Sequence, residues 1–288
     1  MENRLPKHST ELLKYIAQAI QSLYDKRESD SIARILVEEL FGLSNVEIIL
    51  NSPIHWRVGQ WEQLNDIIRE ISQGMPMQYA LGKAFFYGRQ FEVNPAVLIP
   101  RQETELLVKQ IVDDQKVKSA ISLMDVGTGS GCIAISLALE LPNSKVYAMD
   151  ISVEALEIAN KNAKKLFADV NFMQGNILKE MPLDEKLDVL VSNPPYVRQL
   201  EKSSMHRNVL DFEPDIALFV PDEDPLLFYR ALAIYGNRAL KNDGSLYVEI
   251  NEALAFETCE LLRSFNYTNL QIIKDLHGKD RFIKSMLS

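Results

Sequence analysis

Asn193-Pro194-Pro195-Tyr196 brings together residue types suited to gripping a planar amino group. Two consecutive prolines fix φ and remove two backbone donors, so the segment is stiff and its carbonyls stand clear of any ladder. An amide side chain lies at one end and an aromatic face at the other. The run Leu187-Asp188-Val189-Leu190-Val191-Ser192 just before it reads as a buried strand. A proline pair after a strand can equally be a plain terminator, so these four residues alone leave both roles open.

A second group is Asp125-Val126-Gly127-Thr128-Gly129-Ser130-Gly131, which ends a strand and opens a helix. Its glycines permit close backbone approach, and the helix start favours negative charge. The dinucleotide fingerprint wants its third glycine one place later, where Cys132 stands. The tighter spacing, with an acid ahead of it, points to S-adenosylmethionine rather than NAD, with a purely structural turn as the alternative. Asp150 ends the next strand, where a carboxylate can take both ribose hydroxyls of a nucleoside or merely lead a helix behind Ser152. Asn176 and Ile177 follow the third strand, in position to meet an adenine. The carboxyl ends of parallel strands share one rim, so Gly127, Thr128, Gly129, Ser130, Gly131, Asp150, Asn176 and Asn193 converge on one pocket.

The elements that must hold these residues differ along the 288-residue chain. Residues 1–75 read as a small helical domain, with one apolar stripe at Leu12, Leu13, Ile16, Ile20 and Leu23. A second stripe runs through Ile32, Ile35, Leu36, Leu40 and Phe41 and ends near Gly42. Residues 76–100, with Tyr79, Phe85, Phe86, Tyr87, Phe91 and Val93 punctuated by Gly82 and Gly88, read as a β-hairpin connector. Residues 101–288 open on an amphipathic helix and then alternate strands and helices, the pattern of an α/β domain with a largely parallel sheet. Strands are expected at 121–126, 145–150, 170–174, 187–192, 245–250, 270–274 and 281–286. Helices are expected at Val153–Phe167 behind Ser152 and at Pro225–Leu240 behind Asp224. The segment from Val197 to Glu223 reads as an insertion over the active face.

Composition narrows the partners. The net charge is −9, and the acidic surplus falls after Gln90, in the part carrying the tetrad. A duplex-binding enzyme needs a basic footprint, so naked nucleic acid is not the expected partner. Two cysteines, Cys132 and Cys259, make no disulfide framework or metal set, and a reducing cytoplasm is expected. No leader-like or membrane-spanning apolar run is seen, and no metal is expected.

The chain resembles class I S-adenosylmethionine-dependent methyltransferases, and more narrowly the bacterial release factor glutamine methyltransferases, the PrmC/HemK family. The resemblance rests on Pro76-Met-Gln78-Tyr79-Ala-Leu-Gly82, Leu98-Ile-Pro100-Arg101-Gln-Glu103-Thr104-Glu105, the glycine loop, the tetrad, Phe212-Glu213-Pro214 and Gly278-Lys279-Asp280-Arg281. It implies a seven-stranded Rossmann-like domain carrying a helical amino-terminal domain and a hairpin connector. It also implies methyl transfer to the side-chain amide nitrogen of the glutamine in the Gly-Gly-Gln motif of class-1 peptide release factors. Gly127 to Gly131, Asp150, Asn176, Ile177 and Asn193 would bind S-adenosylmethionine. Asn193, Pro194 and Tyr196 would act in catalysis, and Asn193 to Tyr196 together with Arg101 would hold the substrate. A monomer is expected, with no membrane partner. Gln102, Asn176, Asn251 and His277 depart from the residues usual in that family.

Overall fold

The computed structural model describes residues 5–118, 120–179 and 185–288; residues 1–4, which open the stretch read above for a leader, lie outside it. The chain forms two compact units. One comprises the described residues up to Leu81 with Arg207–Phe212, the other Gly82–His206 with Glu213–Ser288.

The first unit is helical: α1 (Ser9–Ile20), α2 (Lys26–Phe41), α3 (Asn45–Ile49), α4 (Gln60–Ser72) and α5 (Met77–Leu81). Leu12, Ile16, Ile20, Leu36, Leu64 and Ile71 are fully buried in its core, because their spacing puts them on inward faces. Asp25 starts α2 by accepting the Glu28 N–H at 2.8 Å, and Gly42 ends it in the left-handed region at φ +68°. Two stripe members behave otherwise. Leu23 lies beyond the end of α1 and is exposed, and Ile35 sits on the outer side of α2. The stretch after Pro76 also begins as helix rather than strand, since Tyr79 and Ala80 donate their N–H groups to the Pro76 carbonyl; Gly82, at φ +67°, stops it.

The second unit opens on the hairpin β1 (Lys83–Phe86) and β2 (Arg89–Glu92), turned by Tyr87 and Gly88, both at positive φ. Then come α6 (Gln102–Gln115), β3 (Ser122–Val126), α7 (Cys132–Glu140), β4 (Lys145–Asp150), α8 (Val153–Leu166), β5 (Asn171–Gln174) and β6 (Leu187–Ser192). The Val197–Glu223 segment holds β7 (Val197–Arg198), α9 (Arg207–Phe212, counted with the first unit), α10 (Asp215–Leu218) and β8 (Phe219–Val220). The chain finishes with α11 (Leu227–Ala239), β9 (Leu240–Glu249), α12 (Ala255–Ser264), β10 (Tyr267–Lys274) and β11 (Asp280–Leu287). Helix α11 starts two residues later than Pro225, because Asp224 is engaged by Arg230, at 2.8 and 3.1 Å, instead of capping.

The seven expected strands form one sheet in the order β10-β11-β9-β6-β3-β4-β5. Its pairs from β5 to β9 are parallel, while β11 runs antiparallel to both neighbours. The strand order reverses beside β3: β4 and β5 are added on one side of it, β6 and β9 on the other. Ligands bind at such a switch point, beyond the carboxyl ends of the strands. Alternate residues serve opposite faces, as Leu123, Val189 and Val191 join the core under α6 and α7 while Met124, Leu190 and Leu246 join the core under α11 and α12.

Candidate active site

A cavity opens at this switch point. Its walls include Gly127, Gly129, Asp150, Asn176, Ile177 and the Asn193-Pro194-Pro195 run. Thr128, Ser130, Gly131, Tyr196 and Arg101 are not among its walls, and each is held by its own contacts.

The glycine loop is pinned by backbone and carboxylate together. Gly127 and Thr128 donate N–H to the Met149 carbonyl at 2.8 and 3.0 Å. Gly129 donates to Asp150 Oδ2 at 2.8 Å, and Ser152 donates to Asp150 Oδ1 at 3.0 Å. Burial raises the Asp150 pKa, opposed by the N–H groups of Ser152, Gly129 and Ile151. Behind the loop, fully buried Asp125 accepts the Thr128 hydroxyl at 2.6 Å and the Ala134 N–H at 3.3 Å, both on Oδ2. Burial pushes its carboxyl up to about 7, against the pull of those two donors. Gly131 caps α7 at φ +81°; a Cβ there would come within 2.8 Å of Ile135 and 3.2 Å of Ala159. Ser130 gives its carbonyl to Asn162 Nδ2 at 2.9 Å.

The tetrad is anchored from two sides. Tyr196 donates its hydroxyl to Glu249 Oε1 at 3.0 Å, and its carbonyl accepts Asn251 Nδ2 at 3.2 Å. The Thr104 hydroxyl donates to Glu249 Oε2 at 2.7 Å and lies 3.4 Å from Asn193 Nδ2. Among the described residues Asn193 Oδ1 has no hydrogen-bond partner, while Asn193 itself lines the cavity. Burial raises the pKa of Glu249, opposed by Thr104, Tyr196 and Arg281. Burial and the neighbouring Glu249 charge push the Tyr196 phenol well up. Arg101 pairs at 2.7 Å with Glu213, which also accepts the Ile99 N–H at 3.3 Å; this joins Leu98 to the Pro214 and Ala217 wall. Asn176 turns its Oδ1 to the Leu178 N–H at 2.9 Å, closing a local turn at the cavity edge.

Residues 11–82 match the PrmC N-terminal domain and residues 102–211 the Methyltransferase small domain. The chain is 44% identical to the release factor glutamine methyltransferase of Flavobacterium psychrophilum, across 93% of this chain and 95% of that protein. It is 43% identical to that of Bacteroides thetaiotaomicron, across 93% and 96%. The chain belongs to the release factor glutamine methyltransferase family. Solved structures place the fold alone. A Pyrococcus furiosus methyltransferase superposes with TM-score 0.51 at 18% identity, covering 70% of this chain and 90% of that one. The T. thermophilus 16S rRNA N2 G1207 methyltransferase, in complex with AdoMet and guanosine, gives 0.53 at 15%, covering 72% and 50%.

As a release factor glutamine methyltransferase, the chain takes its methyl group from S-adenosylmethionine, and the cavity fits that molecule. At Gly127 and Gly129 a Cβ would meet no protein atom within 4 Å, so both glycines face open space. Met149, Ile151 and Ile177 give the cavity an apolar wall that would suit an adenine, and the Asp150 oxygens keep lone pairs that would suit ribose hydroxyls.

Sequence reading gave no role in the site to four supporting residues, although Thr104 lay within a quoted motif and Asn251 stood out as a departure from the family. Thr104 and Glu249 lie in different elements far apart in the chain, and only the fold shows that they meet. Asn251 ties Tyr196 to Glu201, with its Nδ2 3.1 Å from Glu201 Oε2. Asn162, fully buried, brackets Glu92 of the hairpin, accepting its N–H at 2.6 Å and donating to its carbonyl at 3.0 Å. An asparagine at helical spacing among Ala159 and Ala163 was the signal the sequence held for Asn162.

Proposed function

We propose that the chain methylates the side-chain N5 nitrogen of the glutamine in the Gly-Gly-Gln motif of class-1 peptide release factors, and so modulates translation termination. The observation that carries this reading is that Asn193, whose Oδ1 has no hydrogen-bond partner among the described residues, lines the cavity that Gly129 and Asp150 also line. S-adenosylmethionine supplies a methyl on a sulfonium, ready for transfer to a nucleophile. An amide nitrogen is a weak nucleophile, because its lone pair is delocalised into the carbonyl.

The protein's task is positioning. Asn193 Oδ1 and the Pro194 carbonyl accept the two N–H bonds of the glutamine amide, and Tyr196 packs against the amide plane. The hydroxyl of Tyr196, tied to Glu249, fixes that ring. Holding two reactants in register lowers a barrier by roughly 7–11 kcal/mol. An amide hydrogen left unpaired in this site costs about 1–3 kcal/mol. Gly127 to Gly131, Asp150, Asn176 and Ile177 hold the methyl donor, and Arg101 orders the substrate side through Glu213. The setting proposed is a cytoplasmic monomer that acts on protein rather than on nucleic acid.

Asn193→Ala is expected to cut methylation of a release factor about 100-fold, on the scale of losing one oriented polar group in an active site. Affinity for S-adenosylmethionine should stay within a few-fold. Labelled cofactor with a release factor, its glutamine-substituted version and DNA supplies the measurement. Label that persists on the substituted factor, or appears only on DNA, overturns the reading.

A further inference from the structure

Whether Asn193 offers an acceptor or a donor to the cavity depends on which way its amide is turned, and the groups behind it decide that. Thr104, on α6, is buried; its hydroxyl has one proton, and the 2.7 Å contact commits that proton to Glu249 Oε2. The other oxygen of Glu249 is occupied by the Tyr196 hydroxyl at 3.0 Å. Glu249 is itself buried at the end of β9. With its proton spent, Thr104 can show Asn193 only lone pairs, and only an NH2 group satisfies those. The Nδ2 atom accordingly faces Thr104, at 3.4 Å, and Oδ1 is left for the cavity.

We infer that Thr104 and Glu249 are positioning residues that set the hydrogen-bond polarity of Asn193, so that the site selects an N–H-bearing substrate group and refuses a bare carbonyl. This rests on the proposed role of Asn193. The relay runs in one direction, from Asn193 N–H to the Thr104 oxygen and from the Thr104 O–H to the Glu249 carboxylate, with Tyr196 donating to the same carboxylate. No proton is transferred; the carboxylate acts as an acceptor on both oxygens. Glu249 thus couples the two ends of the tetrad, orienting the amide through Thr104 and the ring directly.

The test uses the full-length enzyme. Thr104→Val keeps the shape and deletes the hydroxyl, and Thr104→Ser restores it. With a release factor as acceptor, kcat should fall at least tenfold in Thr104→Val and stay within threefold of wild type in Thr104→Ser. The Kd of S-adenosylmethionine should move less than twofold in both. Glu249→Met removes both acceptor oxygens, which frees the Thr104 proton to turn towards Asn193, and should lower kcat comparably; it carries the test should Thr104→Val fail to bind cofactor. Unchanged kcat in the cofactor-binding variants, or a serine variant as impaired as the valine one, overturns the inference. A second readout needs no substrate: an NMR NOE between the Asn193 side-chain NH2 protons and the Thr104 methyl is expected in the wild-type protein. Its absence overturns the inference. A wild-type enzyme that shows this NOE yet leaves release factors unmethylated would instead sink the proposed function.

Discussion

Asp125 carries the most perturbed acid beside the glycine loop, and its titration links the loop to stability. Its carboxyl rises to about 7 in the folded chain, against an unfolded value near ~3.9. The folded state therefore binds more protons between these values, and stability from this group falls as pH climbs from about 4 to about 7. The slope is at most about 1.4 kcal/mol per pH unit. Asp125→Asn keeps an acceptor for Thr128 and Ala134 and removes the charge. The variant's melting temperature minus that of wild type should rise from pH 5 to pH 8, and a difference that stays flat would refute the assignment. The part played by this acid was half legible in the sequence. The spacing placed it ahead of the glycines, but its full burial and the crowding of both donors onto one oxygen come from β3 lying inside the sheet, between β6 and β4.

At the scale of elements, the glycine loop shows two kinds of glycine. Gly131 is held against α7 and α8, with Ile135 and Ala159 where a side chain would go, whereas Gly127 faces open space. Both have positive φ, so alanine at either costs about 1–2 kcal/mol in backbone strain. Gly131→Ala should lose more stability than that, because packed helices must shift. Gly127→Ala should be close to the strain cost alone but should weaken S-adenosylmethionine binding about tenfold or more, on the reading that the loop holds it. Chemical denaturation and calorimetry on the two variants separate these outcomes. The sequence marked every glycine in this loop alike; which ones touch protein and which touch space depends on where α8 crosses. The same holds for Asn162, whose amide imitates a peptide to complete the open edge of β2 and tethers the loop in the same stroke.

Across the whole molecule, the core is divided. The first unit has its own apolar cluster around Leu36 and Leu64, while Leu190 belongs to the core beneath α11. Leu36→Ala should cost about 2–5 kcal/mol in the helical unit and leave cofactor affinity near wild type at 25 °C. Leu190→Ala, two residues before the end of the strand that leads into the tetrad, should lower both. Melting curves read alongside cofactor titrations test this, and equal loss of affinity in the two variants would contradict it. Alternation of strands and helices made the sheet and its functional rim legible from sequence, because periodicity is a local property. The partners of the tetrad were not legible, because Thr104, Glu249 and Asn251 enter through contacts between distant segments.

Strand β9 gives this dependence a definite form. Tyr247 and Glu249 face α6, where Tyr247 bonds Asp114 at 2.8 Å and Glu249 meets Thr104, while Leu246, Val248 and Ile250 fill the opposite core. Parity along the strand therefore decides whether the carboxylate reaches the tetrad at all. One residue inserted within β9 ahead of Glu249 would point the acid into an apolar core and swing an aliphatic chain towards Thr104; two would restore the face. The reaction site is in this sense counted in steps of two along a strand that is not among the cavity's walls, and length changes there should be tolerated only in pairs.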